Sequence, residues 1–166
     1  MNLLLTGFMG AGKSTIGRLL ARRLGYYFLD TDTEIERQQS CTVADIFQYA
    51  DETRFRDLET ELLEELQSVR NTIIATGGGM VVREQNRELM KSLGRCVYLR
   101  VPPAHLIGRL SRDKHRPLMR QGDETPEQRV TRLLEEREPI YMEAEMVIDT
   151  GHLTPAQTVT EIIRNL

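Results

Sequence analysis

Short apolar runs alternate along the chain with longer stretches in which apolar residues recur at helical spacing. Such runs are typical of strands covered by helices on both faces, and the alternation predicts an α/β domain with a mostly parallel sheet. We expect five strands, at residues 2–5, 26–29, 72–75, 95–99 and 146–148. Apolar residues also form two helical stripes: Ile16, Leu19, Leu20 and Leu24, and Leu58, Leu62, Leu63 and Leu66.

Threonine–proline pairs mark two helix starts in the last third of the chain. Thr125, Pro126 and Gln128 have the spacing of an N-cap, an N1 proline and a capping-box residue, which predicts a helix running toward Arg137. A second pair at residues 154–155 opens the last helix in the same way.

The length of 166 residues fits a single domain, and no internal repeat or linker divides it. Residues 32–64 are too many for one crossover helix between the second and third strands. We therefore expect one domain over residues 1–166, with a small helical insertion at about residues 32–64.

The composition is that of an ordinary globular protein, with 40% hydrophobic and 28% charged residues. No apolar run approaches the ~20 residues that a membrane span needs, and the first residues lack the basic segment of a signal peptide. Cys41 and Cys96 form neither a disulfide framework nor a metal-binding spacing, which suits a reducing compartment. We expect a cytoplasmic monomer without a membrane partner.

The charge is unevenly distributed. A net charge of −3 argues against a general nucleic-acid-binding surface, so no nucleic acid is expected as a partner. Residues 109–120 nevertheless carry a local charge of +4, which leaves −7 for the rest of the chain. Such a basic segment on an acidic body is either a solvated loop or a binding element for a small anion.

The strongest motif is Gly7-Phe8-Met9-Gly10-Ala11-Gly12-Lys13-Ser14, which fits the phosphate-binding P-loop pattern between a strand and a helix. Its backbone N–H groups and the helix N-terminus favour a phosphate. Lys13 would reach the β- and γ-phosphates, and the Ser14 hydroxyl would ligate Mg²⁺. The alternative is a glycine-rich turn that binds nothing. The motif predicts a nucleoside triphosphate and Mg²⁺ but leaves the acceptor open.

Two carboxylates, Asp30 and Asp32, follow the second strand. On an extended segment they would face the same crevice beyond the strand ends, where one could serve Mg²⁺ and the other an attacking hydroxyl. The alternative is a helix start, because Thr31 and Glu34 have capping-box spacing.

Three successive glycines, Gly77, Gly78 and Gly79, follow the third strand. Because such a run costs backbone entropy, it indicates either a close approach or positive φ angles. Backbone N–H groups facing a phosphate or substrate are the functional interpretation, and a tight turn is the alternative.

Arginines in two helices are further candidates. Glu52, Arg56 and Glu59 share one helix face, where they form either a solvated ladder of ion pairs or an oriented arginine that binds a substrate carboxylate. Arg137 lies in another predicted helix.

Together these residues resemble the shikimate kinases, a family of P-loop proteins in the nucleoside-monophosphate-kinase-like group. The resemblance runs from about residue 3 to residue 163. It rests on GFMGAGKST (7–15), LDTD (29–32), FRDLE (55–59), TGGG (76–79), RPLM (116–119), REPIY (137–141) and IDTGHLTP (148–155). It implies phosphorylation of the 3-hydroxyl of shikimate by ATP with Mg²⁺, a step toward chorismate and the aromatic amino acids.

The resemblance also implies roles by position. Nucleotide-binding positions are Gly10, Ala11, Gly12, Lys13, Ser14, Thr15, Arg109, Arg116 and His152. Shikimate-binding positions are Asp32, Arg56, Gly78, Gly79 and Arg137. Ser14 and Asp30 match the metal site. Lys13, Asp32 and Arg116 match catalytic positions, and Arg116 lies in a mobile lid at about residues 111–124.

Three positions depart from the family pattern. Ser40 and Asp51 stand where glycine is usual, and His152 stands where some members have a longer cation that stacks on adenine.

We therefore expect a three-layer α/β P-loop fold with a five-stranded parallel sheet, a helical substrate-binding insertion and a mobile lid. Two alternatives are a kinase for another small metabolite, such as gluconate or a nucleotide, and a nucleotide-dependent binding module without transfer activity.

Overall fold

A five-stranded parallel sheet forms the centre of the computed structural model, which describes residues 1–112 and 123–166. Its strands are β1 (Leu3–Thr6), β2 (Tyr27–Asp30), β3 (Thr72–Ala75), β4 (Arg95–Arg100) and β5 (Met146–Asp149). They lie in the order β2-β3-β1-β4-β5. The predicted strands are confirmed, and four end one residue later than expected. The added residue is polar in each case, yet its backbone still pairs with the neighbouring strand, as Thr6 does with Tyr98.

Eight helices connect and cover the strands in the part of the chain that the structure describes. They are α1 (Lys13–Leu24), α2 (Thr31–Gln39), α3 (Val43–Tyr49), α4 (Glu52–Glu65), α5 (Glu84–Leu93), α6 (Pro103–Arg112), α7 (Pro126–Tyr141) and α8 (Pro155–Arg164). The capping boxes predicted at Thr125 and Thr154 are both formed. None of the helices described combines the length and the apolar character that crossing a bilayer requires.

Apolar side chains pack in two clusters, one on each face of the sheet. Leu4 of β1 and Ile74 of β3 face helices α2 to α7, whereas Leu3 and Leu5 face α1 and α8. This alternation follows from the strand pleat and gives the three layers that were predicted. The apolar stripe predicted on α1 is wrong at Leu19, which is 38% exposed. The face of α1 that packs on the sheet contains Ile16 and Leu20, and Leu19 lies outside that face.

The predicted insertion contains α2, α3 and α4, which separate β2 from β3. Ser40 ends α2 with φ of 54°, in the left-handed region that favours glycine. Asp51 is the N-cap of α4, and its side chain accepts a hydrogen bond from the backbone N–H of Arg54 at 2.8 Å. The two unusual residues thus differ in effect: Asp51 stabilises a helix start, while Ser40 occupies a strained turn.

Loops from the carboxyl ends of three adjacent strands meet at one edge of the sheet. The P-loop follows β1, Asp30 ends β2, and the three glycines follow β3. This edge is where open α/β sheets bind their ligands. The predicted lid falls mainly on residues 113–122, which lie outside the described residues.

Candidate functional site

The P-loop wraps tightly between β1 and α1. Gly12 caps α1 with φ of 91°, and a Cβ atom added to Gly7 would lie 2.8 Å from the carbonyl oxygen of Leu99. Both positions therefore require glycine, one for its backbone conformation and the other for space. Gly10, Ala11 and Gly12 bring the backbone onto the N-terminus of α1, an arrangement that suits a phosphate.

Two cations lie against this loop. The Lys13 ammonium is largely buried and donates hydrogen bonds to the carbonyl oxygens of Gly7 at 2.6 Å and Phe8 at 2.9 Å. Arg109 reaches the loop from α6 and donates from Nη1 to the carbonyl oxygen of Gly10 at 2.9 Å. Positive charges from α1 and α6 therefore lie beside the P-loop, where a phosphate would bind.

Asp30 links the P-loop to α2. Its Oδ2 accepts a hydrogen bond from the Ser14 hydroxyl at 2.5 Å, and its Oδ1 caps α2 by accepting from the backbone N–H groups of Asp32 and Thr33. The capping box suggested for Thr31 is therefore wrong, because the helix begins one residue earlier, with Asp30 as its N-cap. Asp32 consequently lies in the first turn of α2, not on an extended segment.

Ser14 and Asp30 fit a Mg²⁺ site. Both offer hard oxygen atoms, and the hydrogen bond between them shows that these oxygen atoms lie close together beside the P-loop. Mg²⁺ is commonly bound by one or two carboxylates together with substrate phosphates and water, so a complete protein cage is not needed. Accordingly, within residues 1–112 and 123–166 no group of three or more His, Cys, Asp or Glu side chains could hold a metal.

The glycines that follow β3, here called the glycine loop (residues 77–79), each pack against a different part of the site. A Cβ atom on Gly77 would lie 2.7 Å from Asp32 Oδ1 and 2.9 Å from Glu59 Oε1. One on Gly78 would lie 3.2 Å from the Met9 backbone nitrogen in the P-loop, and one on Gly79 would overlap the Arg56 guanidinium.

None of the three glycines has a positive φ. The run is therefore required for close approach, which was one of the two reasons that the sequence suggested. Through these close contacts the glycine loop connects the P-loop with the charged groups of α2 and α4.

A charged cluster occupies the far side of the glycine loop. Arg56 Nη1 donates to Glu59 Oε2 at 2.6 Å, and Arg56 Nη2 donates to Glu52 Oε1 at 3.2 Å. The Glu59 side chain is fully buried and that of Arg56 is 12% exposed, so the solvated-ladder alternative holds only for Glu52.

Burial raises the pKa of Glu59 to about 7. The positive charges of Arg56 and Arg137 oppose this rise, and the neighbouring carboxylate of Asp32 adds to it. Four charged side chains from α2, α4 and α7 thus influence one another here. We call Asp32, Arg56, Glu59 and Arg137, with the glycine loop, the acceptor site.

Arg137 approaches the acceptor site from α7. Its guanidinium carbon lies 5.9 Å from the centroid of the Phe8 ring, so it also adjoins the P-loop. One turn later, the Tyr141 hydroxyl donates to the carbonyl oxygen of Gly78 at 2.5 Å. Burial raises the pKa of Tyr141 to about 12, so the phenol remains a neutral donor.

Two residues of this arrangement escaped the sequence analysis. Tyr141 anchors Gly78, and the Thr31 hydroxyl accepts a hydrogen bond from the Gly77 N–H at 2.9 Å. Their signal lies only in their position beside Arg137 and Asp32.

The remaining predicted residues stand apart. His152 is exposed in the turn after β5 and makes no side-chain hydrogen bond or ion pair with any described residue. Thr15 is exposed in the first turn of α1. Arg116 lies outside the described residues.

The chain is similar to known proteins over almost its whole length. Residues 9–166 match the family model described as shikimate kinase. A shikimate kinase of Chromohalobacter salexigens is 46% identical over 163 residues, which cover 98% of this chain and 89% of that protein. One of Pseudomonas putida is 43% identical and covers 99% of this chain and 95% of that protein.

A solved structure shares the fold closely. The shikimate kinase of Acinetobacter baumannii in complex with shikimate superposes with a TM-score of 0.93 at 42% identity. The match covers 99% of this chain and 91% of that chain.

Proposed function

This chain belongs to the shikimate kinase family, and we propose that its site consists of two halves with different tasks. The protein is an enzyme that uses ATP and Mg²⁺ to phosphorylate the 3-hydroxyl of shikimate, a step in aromatic amino-acid biosynthesis. One half holds the nucleotide and the other orients the acceptor. The observation that carries the proposal is the glycine loop, whose residues lie against both the P-loop and the charged side chains of the acceptor site.

The P-loop is the nucleotide half. Backbone N–H groups of Gly10, Ala11 and Gly12 surround the phosphates, with Ser14 and Thr15 at the start of α1. Lys13 exchanges its bonds to loop carbonyl oxygens for bonds to phosphate oxygens. Ser14 and Asp30 would hold Mg²⁺, and the ion would neutralise developing charge on the phosphates.

The acceptor half binds shikimate through its carboxylate. Arg56 and Arg137, here called the arginine clamp, supply planar two-donor groups that match a carboxylate. Gly78 and Gly79 let the substrate lie against the backbone. Glu59 accepts a 2.6 Å hydrogen bond from the Arg56 guanidinium, and this bond keeps the guanidinium plane fixed.

Asp32 accepts the hydrogen bond of the attacking hydroxyl. It lies against the same Gly77 as Glu59, in the first turn of α2, and so faces the glycine loop on the acceptor side of the site. The phosphoryl group then passes in line to the oriented hydroxyl, and the protein contributes position and charge stabilisation without a covalent intermediate.

Three further roles complete the proposal. Arg116, within a lid at about residues 111–124, closes on the phosphates and excludes water. Arg109 and His152 flank the adenine. The enzyme acts on its small-molecule substrate as a cytoplasmic monomer, with neither nucleic acid nor membrane as a partner.

The direct test is ATP turnover by the purified protein with and without shikimate. ADP release should depend on shikimate, with gluconate and a nucleoside monophosphate as comparison acceptors. Faster turnover with either comparison acceptor would assign the site to that substrate. Tight nucleotide binding without turnover on any acceptor would indicate a binding module instead.

A further inference from the structure

A buried polar pair joins α4 to the segment that follows the glycine loop. The Thr60 hydroxyl lies 2.6 Å from Asn86 Oδ1, to which it donates, and Asn86 Nδ2 donates to the carbonyl oxygen of Met80 at 3.0 Å. Thr60 is 7% exposed and Asn86 is fully buried. The chain Thr60–Asn86–Met80 therefore crosses from α4 through the first turn of α5 to the residue directly after Gly79.

Each end of this chain lies next to a part of the acceptor site. Thr60 is one helical turn from Arg56, whose carbonyl oxygen is 3.0 Å from the Thr60 hydroxyl. At the other end, the Met80 N–H donates to the carbonyl oxygen of Gly77 at 3.1 Å. The pair thus links the backbone that carries the Arg56 guanidinium with the glycine loop against which it packs.

The Arg56 guanidinium lies directly against Gly79, at the place that a Cβ atom would occupy. Hydrogen bonds to Glu59 and Glu52 of the same helix hold the guanidinium relative to α4, so its place on the glycine loop follows the position of α4. The apolar residues of α4, such as Leu62 and Leu63, hold the helix in the core, but contacts of this kind are not directional. A hydrogen bond fixes both distance and direction, and a buried one is costly to leave unmade.

We propose that Thr60 and Asn86 are positioning residues of the acceptor site. They set the position of α4 along the glycine loop, and therefore the place at which Arg56 meets a substrate carboxylate. This inference rests on the proposed function, because it assigns the pair an effect on shikimate binding. It gives the pair no part in nucleotide binding.

The test is a pair of titrations on Thr60→Val, which keeps the side-chain shape and removes the hydroxyl. The dissociation constant for shikimate should rise roughly three- to tenfold, and that for a non-hydrolysable ATP analogue should stay unchanged. Thr60→Ser, which restores the hydroxyl, should recover most of the shikimate affinity. The matched control is Gln85→Ala, which removes an exposed α4–α5 contact to Glu64 of 3.4 Å and should alter neither constant.

A second measurement separates positioning from general loosening. If Thr60 acts through Arg56, its substitution should have less effect on shikimate affinity in an Arg56→Lys background than in the natural one. An unchanged shikimate constant in folded Thr60→Val, an equal loss for both ligands, or full additivity with Arg56→Lys would each overturn the proposal.

Thr60→Ala, which removes the hydroxyl without putting a methyl group in its place, replaces the valine variant if that variant does not fold. An unchanged shikimate constant in folded Thr60→Ala would also overturn the proposal. Failure of the proposed function would be recognised separately, because the unsubstituted protein itself would then neither bind nor phosphorylate shikimate.

Discussion

Among individual side chains, Lys13 is the one to which the proposed function gives the most direct part in phosphoryl transfer. Its ammonium donates hydrogen bonds to P-loop carbonyl oxygens, and its side chain belongs to neither apolar cluster, so its loss should leave the core intact. We expect Lys13→Ala to lower kcat at least about a hundredfold while the thermal unfolding midpoint changes little. Steady-state kinetics and circular dichroism check this.

Lys91→Ala is the matched control, since Lys91 is an exposed lysine paired with Glu88 at 3.1 Å. Near-normal turnover in folded Lys13→Ala would contradict the role given to the P-loop.

Glu59 should make the stability of the protein depend on pH. Its pKa of about 7 in the folded state lies above the ordinary value of 4.5, so the folded protein binds this proton more tightly than the unfolded chain does. The contribution of protonated Glu59 is present below about pH 4.5 and is lost as the pH rises to about 7, with a slope of up to about 1.4 kcal/mol per pH unit.

The glutamine of Glu59→Gln cannot titrate. As the pH rises from 5 to 7, the free energy of unfolding of the unsubstituted protein should therefore fall relative to that of the variant. Urea unfolding of both proteins at several pH values measures this difference. If the difference in unfolding free energy stays constant with pH, folding does not raise the pKa of Glu59.

Ser40 is a site where the chain can be stabilised. Its φ of 54° is unfavourable for a residue with a Cβ atom and costs glycine little. Ser40→Gly should therefore raise the free energy of unfolding by about 0.5–1 kcal/mol, and Ser40→Ala should not. Thermal denaturation distinguishes them, and destabilisation by glycine would show that the side chain itself matters.

At the scale of elements, the proposed arginine clamp draws on two helices that are distant in the chain. Arg56 comes from α4 and Arg137 from α7, so a bound shikimate would connect these two helices. Loss of either charge-assisted contact should cost about 1.5–3 kcal/mol, which corresponds to a roughly ten- to hundredfold rise in the KM for shikimate. ATP binding should change little in Arg56→Ala and Arg137→Ala.

Two substitutions sharpen this prediction. Lysine in place of either arginine should recover only part of the affinity, because a point charge lacks the two-donor plane. Asp32→Asn should mainly lower kcat, since it removes the acceptor for the hydroxyl proton. Arg54→Ala, which removes an exposed arginine of α4 paired with Glu61 at 2.9 Å, is the matched control. Equal weakening of both ligands in the clamp variants would remove the physical support for this site.

At the scale of the whole molecule, the proposed lid lies in the chain between elements that contact the two halves of the site. Residues 113–122 come after α6, whose Arg109 contacts the P-loop, and before α7, whose Arg137 adjoins the acceptor site. The sequence of residues 111–124 contains a basic cluster and few large apolar residues. We predict fast amide exchange there in the free protein and slow exchange with nucleotide and shikimate together.

Arg116→Ala should lower turnover more than it weakens ATP binding, since its charge is needed most in the transition state. Equal protection of residues 111–124 with and without ligands would contradict a lid.

Local signals made much of this molecule predictable. The strands, the capping boxes at Thr125 and Thr154, and the P-loop depend on residues close in sequence, and the pattern identified them. The bond from Tyr141 to Gly78 spans 63 residues, and that between Thr31 and Gly77 spans 46, so only the packed fold brings them together. The same packing buries Glu59, which the helix pattern alone could equally place in solvent.

The order of strands also has a consequence for synthesis. β1 is the first strand to be made, yet Leu3 pairs with Ile73 on one side and Arg95 on the other. At about 5–20 residues per second, a ribosome needs roughly 5–20 seconds to supply both partner strands. During that interval three leucines that end fully buried have no sheet to enter. The nascent chain therefore exposes this apolar segment until its partner strands have been made, which is the interval in which it is most prone to aggregate.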